Sequence, residues 1–288
     1  MALRPARADV EPVHAELAAS ERAPRSGNGL LARIISSLVM IPIALAAVWF
    51  GAPLLPALVM LAGAGMGWEW ARLLRAGPAS LSLIIASPFV AAAAATVGDG
   101  AAAVVIAVIF AAVLALVERR TVRRFWAALG MLWIALPCVA ILWIDHGQSG
   151  RALIFFLLAV VWASDIGAYA SGRLIGGPKL APKLSPNKTW SGAVGGFACA
   201  LVVGFAAAHL AQANVVRVLA VTAIVAIAAQ LGDLGESVAK RHFHVKDSGA
   251  LIPGHGGLLD RLDSLLAASM ILAACLAAIG PGLFGNSP

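Results

Sequence analysis

Long apolar stretches separated by short polar segments run through most of the chain. No charged residue lies between Arg33 and Glu69. At 1.5 Å per residue, a single helix over 34–68 would be about 52 Å long, well beyond a hydrocarbon core of ~30 Å. Gly51 and Pro53 interrupt this stretch, so it predicts two membrane spans with a break at 50–53.

Seven further apolar stretches follow, which makes nine predicted transmembrane helices in all. Their limits are 81–97, 101–117, 125–144, 152–170, 193–210, 215–231 and 258–279. Lengths near 20 residues are typical of helices that cross a bilayer once. We therefore predict an all-α, polytopic integral membrane protein with about nine transmembrane helices.

The polar segments divide the chain into three parts. Residues 1–29 mix Arg, acidic residues, Pro and Ala without an apolar run, which predicts a flexible tail and not a signal peptide. Residues 30–150 hold about five of the predicted transmembrane helices. Residues 151–288 hold the others, together with two hydrophilic loops at 172–192 and 232–257, and form the predicted catalytic region.

Composition supports a membrane protein, and the distribution of charge indicates its orientation. Hydrophobic residues make up 61% of the chain and charged residues 12%, which excludes a soluble globule and a disordered chain. The net charge of +7 requires no nucleic acid partner, because 19 of the 21 Lys and Arg residues lie on one side of the predicted topology. Only Arg151 and Arg217 lie on the other. Since basic residues mark the cytoplasmic side, we expect the N-terminus and both hydrophilic loops to be cytoplasmic.

Two acids stand at the start of the last apolar stretch. Asp260 and Asp263 are three residues apart, which places them on one face of a helix. The Gly-rich segment 254–257 precedes them, and glycines before a helix let backbone N–H groups approach an anion. Ionisable residues inside a membrane span are energetically unfavourable and usually functional. This pair is therefore a candidate site.

A polar stripe continues the eighth apolar stretch past residue 231. Its members share one helical face: Gln230, Asp233, Ser237, Lys240 and Arg241, with Glu236 beside them. The eighth helix is therefore predicted to extend beyond the membrane surface. Carboxylates from two helices can hold Mg²⁺, while Lys and Arg nearby neutralise phosphate charge. A solvated rim with ion pairs, such as Glu236 with Lys240, is the alternative interpretation.

The segment before the seventh stretch and one acid in the sixth also have two interpretations each. Lys188 and Thr189 are candidates for phosphate contact, or they belong to a helix start capped by Ser185 or Asn187. The spacing of a Walker loop is missing there. Asp165, about two turns inside the sixth stretch, is either functional or a buried structural acid.

Glu69 lies between two tryptophans at the end of the second predicted span. This pattern indicates an interfacial aromatic anchor with an acid at a helix end. A side chain that faces the interior of the bundle is the alternative.

The segment 237–263 carries a dense polar motif. It contains Ser237, Lys240, Arg241, Lys246, Asp247, Gly256, Gly257, Asp260, Arg261 and Asp263. This motif resembles the signature of the CDP-diacylglycerol synthase (phosphatidate cytidylyltransferase) family. The resemblance extends upstream to 230–233, 185–189 and 164–165, whereas the first five spans are similar only in general character.

The resemblance implies a nucleotidyltransferase of phospholipid biosynthesis. Its expected reaction is CTP plus phosphatidate giving CDP-diacylglycerol and diphosphate. The family's properties further imply an all-helical enzyme of the inner cell membrane whose active site faces the cytoplasm. They imply Mg²⁺ as cofactor, with K⁺ left open as a second ion, and a homodimer among membrane lipids.

The resemblance also assigns expected roles to individual residues. The implied metal ligands are Asp233 and Asp260. The implied catalytic residues are Asp165, Lys240, Arg241 and Asp263. The implied substrate-binding residues are Ser185, Asn187, Lys188, Thr189, Lys246, Asp247, His255, Gly256, Gly257 and Arg261.

Two other functions are left open at this point. One is a related CTP-dependent enzyme, either a polyprenol kinase or a cytidylyltransferase for another lipid phosphate. The other is an ion-coupled transporter that uses the intramembrane acids as a relay. No internal repeat is evident in the sequence and the acids cluster toward one face, which disfavours a transporter.

Overall fold

The computed structural model describes residues 28–96, 100–118, 121–147, 149–252, 256–280 and 282–284, with side chains for all of these except 28–37 and 121. Within these residues the chain forms nine helices and one small sheet. The helices are α1 (Asn28–Phe50), α2 (Leu54–Leu73), α3 (Pro78–Thr96), α4 (Gly100–Val117), α5 (Thr121–His146), α6 (Gly150–Leu174), α7 (Trp190–Leu210), α8 (Val215–His242) and α9 (Leu259–Ile279). The strands are β1 (Lys179–Ala181) and β2 (Ser185–Thr189). Residues 1–27, most of the predicted tail, lie outside the described part.

Each predicted membrane span corresponds to one of these helices. Eight of them, α2 to α9, are long and apolar enough to cross a bilayer, and α1 has a shorter apolar part at Leu38–Phe50. The predicted break between the first two spans is present, because α1 ends at Phe50 and α2 begins at Leu54. Gly51 there has a φ of 66°, a conformation that glycine adopts without strain. The prediction of an all-α polytopic membrane protein is confirmed.

The polar stripe is helical, as the sequence predicted. Helix α8 continues from the apolar stretch as far as His242. It ends in a Schellman turn, in which His244 has a φ of 55° and the Val245 N–H donates to the Lys240 carbonyl at 2.9 Å. Lys240 and Arg241 therefore occupy the last turn of a rigid element.

The loop 172–192 contains structure that the sequence interpretation did not predict. Strands β1 and β2 pair antiparallel, with Lys179 opposite Thr189 and Ala181 opposite Ser185. The helix start predicted here, capped by Ser185 or Asn187, is wrong because both residues lie in extended β2. Thr189 is the N-cap of α7, since its Oγ1 accepts a hydrogen bond from the Gly192 N–H at 3.1 Å.

Small residues bring α6 and α7 into close contact. One face of α7 is buried and has a small residue at every fourth position: Gly192, Gly196, Ala200, Gly204 and Ala208. A Cβ at Gly196 would lie 2.5 Å from the Ser164 carbonyl oxygen of α6. Backbones that approach this closely are typical of membrane helix pairs with small residues four apart. This packing holds the hairpin, which immediately precedes α7, beside the end of α6.

The polar ends of several helices meet at one end of the bundle. Arg123 at the start of α5 donates from Nε to the Leu74 carbonyl at 2.9 Å, which joins α5 to the end of α2. His242 at the end of α8 stacks on Trp126 with ring centroids 4.6 Å apart. At the opposite end, Arg151 lies 5.8 Å from the ring of Trp49. The candidate residues lie at the first of these two ends.

Candidate active site

Lys240 on α8 binds two buried carboxylates. Its Nζ lies 2.9 Å from Asp260 Oδ1 on α9 and 3.5 Å from Glu236 Oε1 one turn earlier on its own helix. The side chain of Glu236 is only 2% exposed and that of Lys240 16%. The Glu236–Lys240 pair anticipated by the alternative interpretation is thus present, but it is enclosed by protein and is not part of a solvated rim.

Asp260 is held by backbone donors as well as by Lys240. The Ser248 N–H donates to Oδ2 at 2.9 Å and to Oδ1 at 3.1 Å, and the Gly257 N–H donates to Oδ2 at 3.0 Å. Gly256 has a φ of 87°, which favours glycine. A Cβ at Gly257 would lie 2.9 Å from Asp260 Oδ2. The glycines therefore allow a backbone N–H to approach an anion, and the anion in this conformation is the carboxylate of Asp260 itself.

A second ion pair joins the hairpin to α8. Lys188 Nζ on β2 lies 2.5 Å from Asp233 Oδ2, and both side chains remain partly exposed. Asp165 on α6 is close enough to Lys188, Asp233 and Asp263 for their charges to interact. Residue 165 is exposed at the surface of the described helices, which favours a functional acid over a buried structural one.

Gln230 fixes the relative position of the three helices around these charges. Its Nε2 donates to the Ala193 carbonyl at 3.0 Å and to Ser164 Oγ at 3.4 Å. One side chain of α8 therefore contacts both α6 and α7. Since Asp233 lies one turn after Gln230 on α8, this contact also positions Asp233.

The remaining predicted residues surround this cluster with different degrees of exposure. Arg241 donates from Nε to the Leu184 carbonyl in the hairpin turn at 3.2 Å. Ser185 is half-buried on β2, whereas Asn187 is exposed. Lys246, Asp247 and Arg261 are exposed, and His255 lies outside the described residues. Six predicted site residues are thus brought together: Asp165, Lys188, Asp233, Lys240, Asp260 and Asp263.

The sequence interpretation underestimated two acids. Glu236 is enclosed beside Lys240, although the spacing had offered only an ion pair at the surface. The interpretation of Glu69 as an interfacial anchor is wrong, because its residue is 0% exposed and accepts hydrogen bonds from the loop before α9. The sequence did offer one indication of this. Glu69 is the first charged residue after a long uncharged stretch, and an acid inside a membrane span is energetically unfavourable unless it has partners.

The donor set suits a hard cation bound together with substrate phosphates. Five carboxylates lie around two lysines, Lys188 and Lys240: Asp165, Asp233, Glu236, Asp260 and Asp263. Both carboxylate oxygens of Glu236 are buried, and apart from the ion pair with Lys240 they accept no hydrogen bond among the described residues. No three acidic, His or Cys side chains of the described part form a complete metal cage. Mg²⁺ needs only one or two protein carboxylates when phosphates and waters supply its other ligands, so the residues fit that ion.

Comparisons with known proteins agree with this chemistry. Residues 31–279 match the model of the cytidylyltransferase family. The chain is 38% identical to the phosphatidate cytidylyltransferase of Brucella suis over 251 residues, which cover 85% of this chain and 92% of that protein. It is 37% identical to the protein of the same name from Pseudomonas aeruginosa over 265 residues, or 87% and 98% of the two chains. A shorter similarity, 45% over 143 residues, relates it to the Staphylococcus saprophyticus protein of that name, with 49% of this chain and 55% of that one covered. This chain belongs to the cytidylyltransferase family, because the family model matches most of its length and two relatives align with it over most of both chains.

Proposed function

We propose that this protein is a phosphatidate cytidylyltransferase, which converts CTP and phosphatidate into CDP-diacylglycerol and diphosphate. The observation that carries the proposal is the convergence of five acids and two lysines at one end of a bundle of apolar helices. A soluble nucleotide and a lipid phosphate can meet only at such an end. The relatives of that name, similar over most of their length, support the same substrates.

The reaction needs no protein nucleophile. An oxygen of the lipid phosphate attacks the α-phosphorus of CTP, the bond from that phosphorus to the bridging oxygen breaks, and diphosphate leaves with the electron pair. The protein therefore has to align two anions and neutralise their charge. Lys188, Lys240 and Arg241 are the proposed cationic groups for this task, and Asp165 and Asp263 are proposed to orient them.

Family membership implies use of a divalent metal, and we propose that this metal is Mg²⁺; K⁺ is left open as a second ion. Asp233 and Asp260, which come from different helices, would be its protein ligands. When bound, the ion would neutralise phosphate oxygens and polarise the phosphorus that is attacked. The accessible side chain of Asp233 and the paired, fixed side chain of Asp260 are compatible with these roles.

The substrate contacts are proposed on both sides of the cluster. Ser185, Asn187, Lys188 and Thr189 would act from the hairpin. Lys246, Asp247, His255, Gly256, Gly257 and Arg261 would act from the loop before α9 and its first turn. The hydroxyl of Thr189 already caps α7, so its expected contribution is to fix the backbone next to Lys188.

The site is proposed to face the cytoplasm of an inner cell membrane. The end that carries it also carries most of the described basic residues, and basic residues mark the cytoplasmic side. We further propose a homodimer, which cross-linking in native membranes can test.

Purified protein supplied with CTP, phosphatidate and Mg²⁺ tests the function directly. Label in the α-phosphate should enter the lipid product, and diphosphate should be released in equal amount. Release of CDP with transfer of the γ-phosphate would identify a lipid kinase instead. Replacing phosphatidate with a polyprenyl phosphate distinguishes a cytidylyltransferase for another lipid. Absence of any CDP-lipid from folded protein would refute the proposal.

A further inference from the structure

Glu69 on α2 accepts hydrogen bonds from the loop that leads into α9. Its Oε1 accepts from the Leu258 N–H at 3.0 Å and the Leu251 N–H at 3.4 Å. Its Oε2 accepts from the Leu259 N–H at 2.9 Å and from Ser248 Oγ at 3.5 Å. All four contacts use the carboxylate as an acceptor. An acid from the N-terminal helices thus organises a segment of the predicted catalytic region.

The same loop is held from its other side by Asp260. Ser248 contributes its N–H to Asp260 and its hydroxyl to Glu69. Two neighbouring N–H groups also donate to different carboxylates: that of Gly257 donates to Asp260 and that of Leu258 donates to Glu69. The described parts of this loop, 248–252 and 256–259, are therefore held between two carboxylates, and one of them binds Lys240.

Glu69 also satisfies the first turn of α9. The opening N–H groups of a helix have no partner within the helix, and the N-terminus favours negative charge. The N–H groups of Leu258 and Leu259 at this position both donate to Glu69. Because Asp260 and Asp263 occupy the turn that begins here, the position of Glu69 influences theirs.

Aromatic packing prevents α2 from shifting away from this contact. Trp70, which follows Glu69, donates from Nε1 to the Trp126 carbonyl at 3.1 Å. Its ring meets Phe243 edge to face, with centroids 6.0 Å apart. Residue 70 is only 3% exposed. Helix α2 is thereby joined to α5 and to the end of α8, which carries Lys240.

We propose that Glu69 is a positioning residue for cytidylyl transfer, which acts through the loop residues 248–252 and 256–259 to place Asp260 opposite Lys240. The inference rests on the proposed function and extends it to the N-terminal helices. Without the carboxylate, four donors of the loop lose their acceptor, and unpaired buried donors favour opening of the loop. The loop contains Gly256 and Gly257, which are proposed substrate contacts, so its opening weakens CTP binding.

Substitution of Glu69 by glutamine tests this role with little change in size. The glutamine amide has one acceptor oxygen where the carboxylate has two. Its NH₂ group is a donor and cannot accept from the N–H groups of the loop. We expect E69Q to raise the KM for CTP roughly tenfold or more, in the range seen for residues that orient ligands indirectly. The KM for phosphatidate should change less. In hydrogen exchange, the amides of Leu258 and Leu259 should exchange roughly tenfold faster than in the wild type.

Substitution of Gly249 by alanine tests the same contact from the loop side and retains the acid. A Cβ at this position would lie 2.6 Å from Cδ and 2.7 Å from Cγ of Glu69. G249A should therefore displace the loop and reproduce the effects of E69Q on KM and exchange. The matched control is E118Q, since Glu118 is also buried but its described partner is Arg123, with Nε 3.6 Å from Oε2, and neither residue is assigned to the site or the loop. E118Q should keep the KM for CTP and the loop exchange within about twofold.

Two results would overturn the inference. One is an unchanged KM for CTP in both E69Q and G249A. The other is unchanged exchange at the amides of Leu251, Leu258 and Leu259 in both variants. If Glu69 only stabilised the fold, E69Q would lower the amount of folded enzyme but leave the KM of the folded enzyme unaltered. That outcome would also contradict a positioning role. If the wild type produced no CDP-lipid, the proposed function would fail, whereas the exchange comparison would still decide whether Glu69 fixes the loop.

Discussion

The acids of the site are held in different ways, and this difference suggests different tasks. Asp260 has two backbone donors and a lysine around its carboxylate, so its position is fixed before substrate arrives. Within the described residues Asp233 has one ion-pair partner, Lys188, and its side chain is 35% exposed. A partly exposed pair of this kind contributes about 0–1 kcal/mol to stability. Asp233 can therefore change partner when a cation or phosphate binds.

Replacing either proposed metal ligand should nearly abolish turnover. We expect D233N and D260N to lower kcat/KM by roughly a hundredfold or more, because each removes a carboxylate proposed to hold the Mg²⁺ that neutralises the reacting phosphates. Diphosphate release, measured over a range of Mg²⁺ concentrations, checks this. D145N, which alters an acid near the opposite end of α5, is the control and should retain wild-type rates. Near wild-type activity of both D233N and D260N would refute the metal assignment.

Lys188 should matter for activity much more than for stability. K188Q removes the cation that faces Asp233, and we expect kcat/KM to fall roughly tenfold or more. The midpoint of thermal unfolding in detergent should change little, since the pair is partly exposed. K183Q, in the exposed hairpin turn, is the matched control. Equal activity of the two variants would indicate that Lys188 has no role with substrate.

At the scale of elements, the contact between α6 and α7 places the hairpin beside the acids. The contact depends on small residues, because a Cβ at Gly196 would lie 3.0 Å from the Ala168 Cβ as well as 2.5 Å from the Ser164 carbonyl. Enlarging such a contact forces the helices apart. Lys188, which lies just before α7, would then move relative to Asp233 on α8.

Substitution of Gly196 by alanine should accordingly destabilise the protein by about 1–3 kcal/mol. The comparison is G235A on α8, where the nearest atom to an added Cβ is Trp133 Cη2 at 4.0 Å. Alanine is favoured over glycine in a helix by about 0.5–1 kcal/mol, so G235A should be neutral or stabilising. Thermal unfolding of both variants in the same detergent measures the difference. A G196A protein as stable as the wild type would show that the helix contact tolerates expansion.

At the scale of the whole molecule, charge and hydrophobicity separate along the bundle. The site, the aromatic cluster of Trp70, Trp126 and Phe243, and most described basic residues share one end. Such an arrangement lets a nucleotide enter from water while acyl chains remain among apolar helices. The orientation of this end toward the cytoplasm remains a prediction from the distribution of Lys and Arg.

Single cysteines introduced at the two ends test this orientation. In a background without Cys138, Cys199 and Cys275, we expect an impermeant maleimide to label R217C in intact cells. K183C should react only after the membrane is permeabilised, because the hairpin is predicted to be cytoplasmic. The reverse pattern would place the site on the outer side and contradict a role with cytoplasmic CTP.

Much of the architecture and part of the site could be predicted from sequence because both depend on local pattern. A bilayer of nearly constant thickness requires apolar stretches near 20 residues, so counting them yields the helices. Asp260, Asp263 and Lys240 follow from helical spacing and from one contiguous motif. The hairpin could not be predicted this way, because β2 contains Pro186 and Asn187, and Pro and Asn are poor strand formers. It is stabilised instead by contacts such as that between Arg241 and Leu184.

By itself, the sequence determined the number and order of the membrane helices, the family and the motif that carries most of the candidate acids and bases. These features depend on composition within windows of 20 to 30 residues. Only the tertiary structure decided how the charges pair. Glu69 meets Leu259, 190 positions later in the chain, and Lys188 meets Asp233 from a different element. The physical reason is that a buried acid needs donors, and which donors reach it depends on helix packing, because the contacting residues are far apart in the chain.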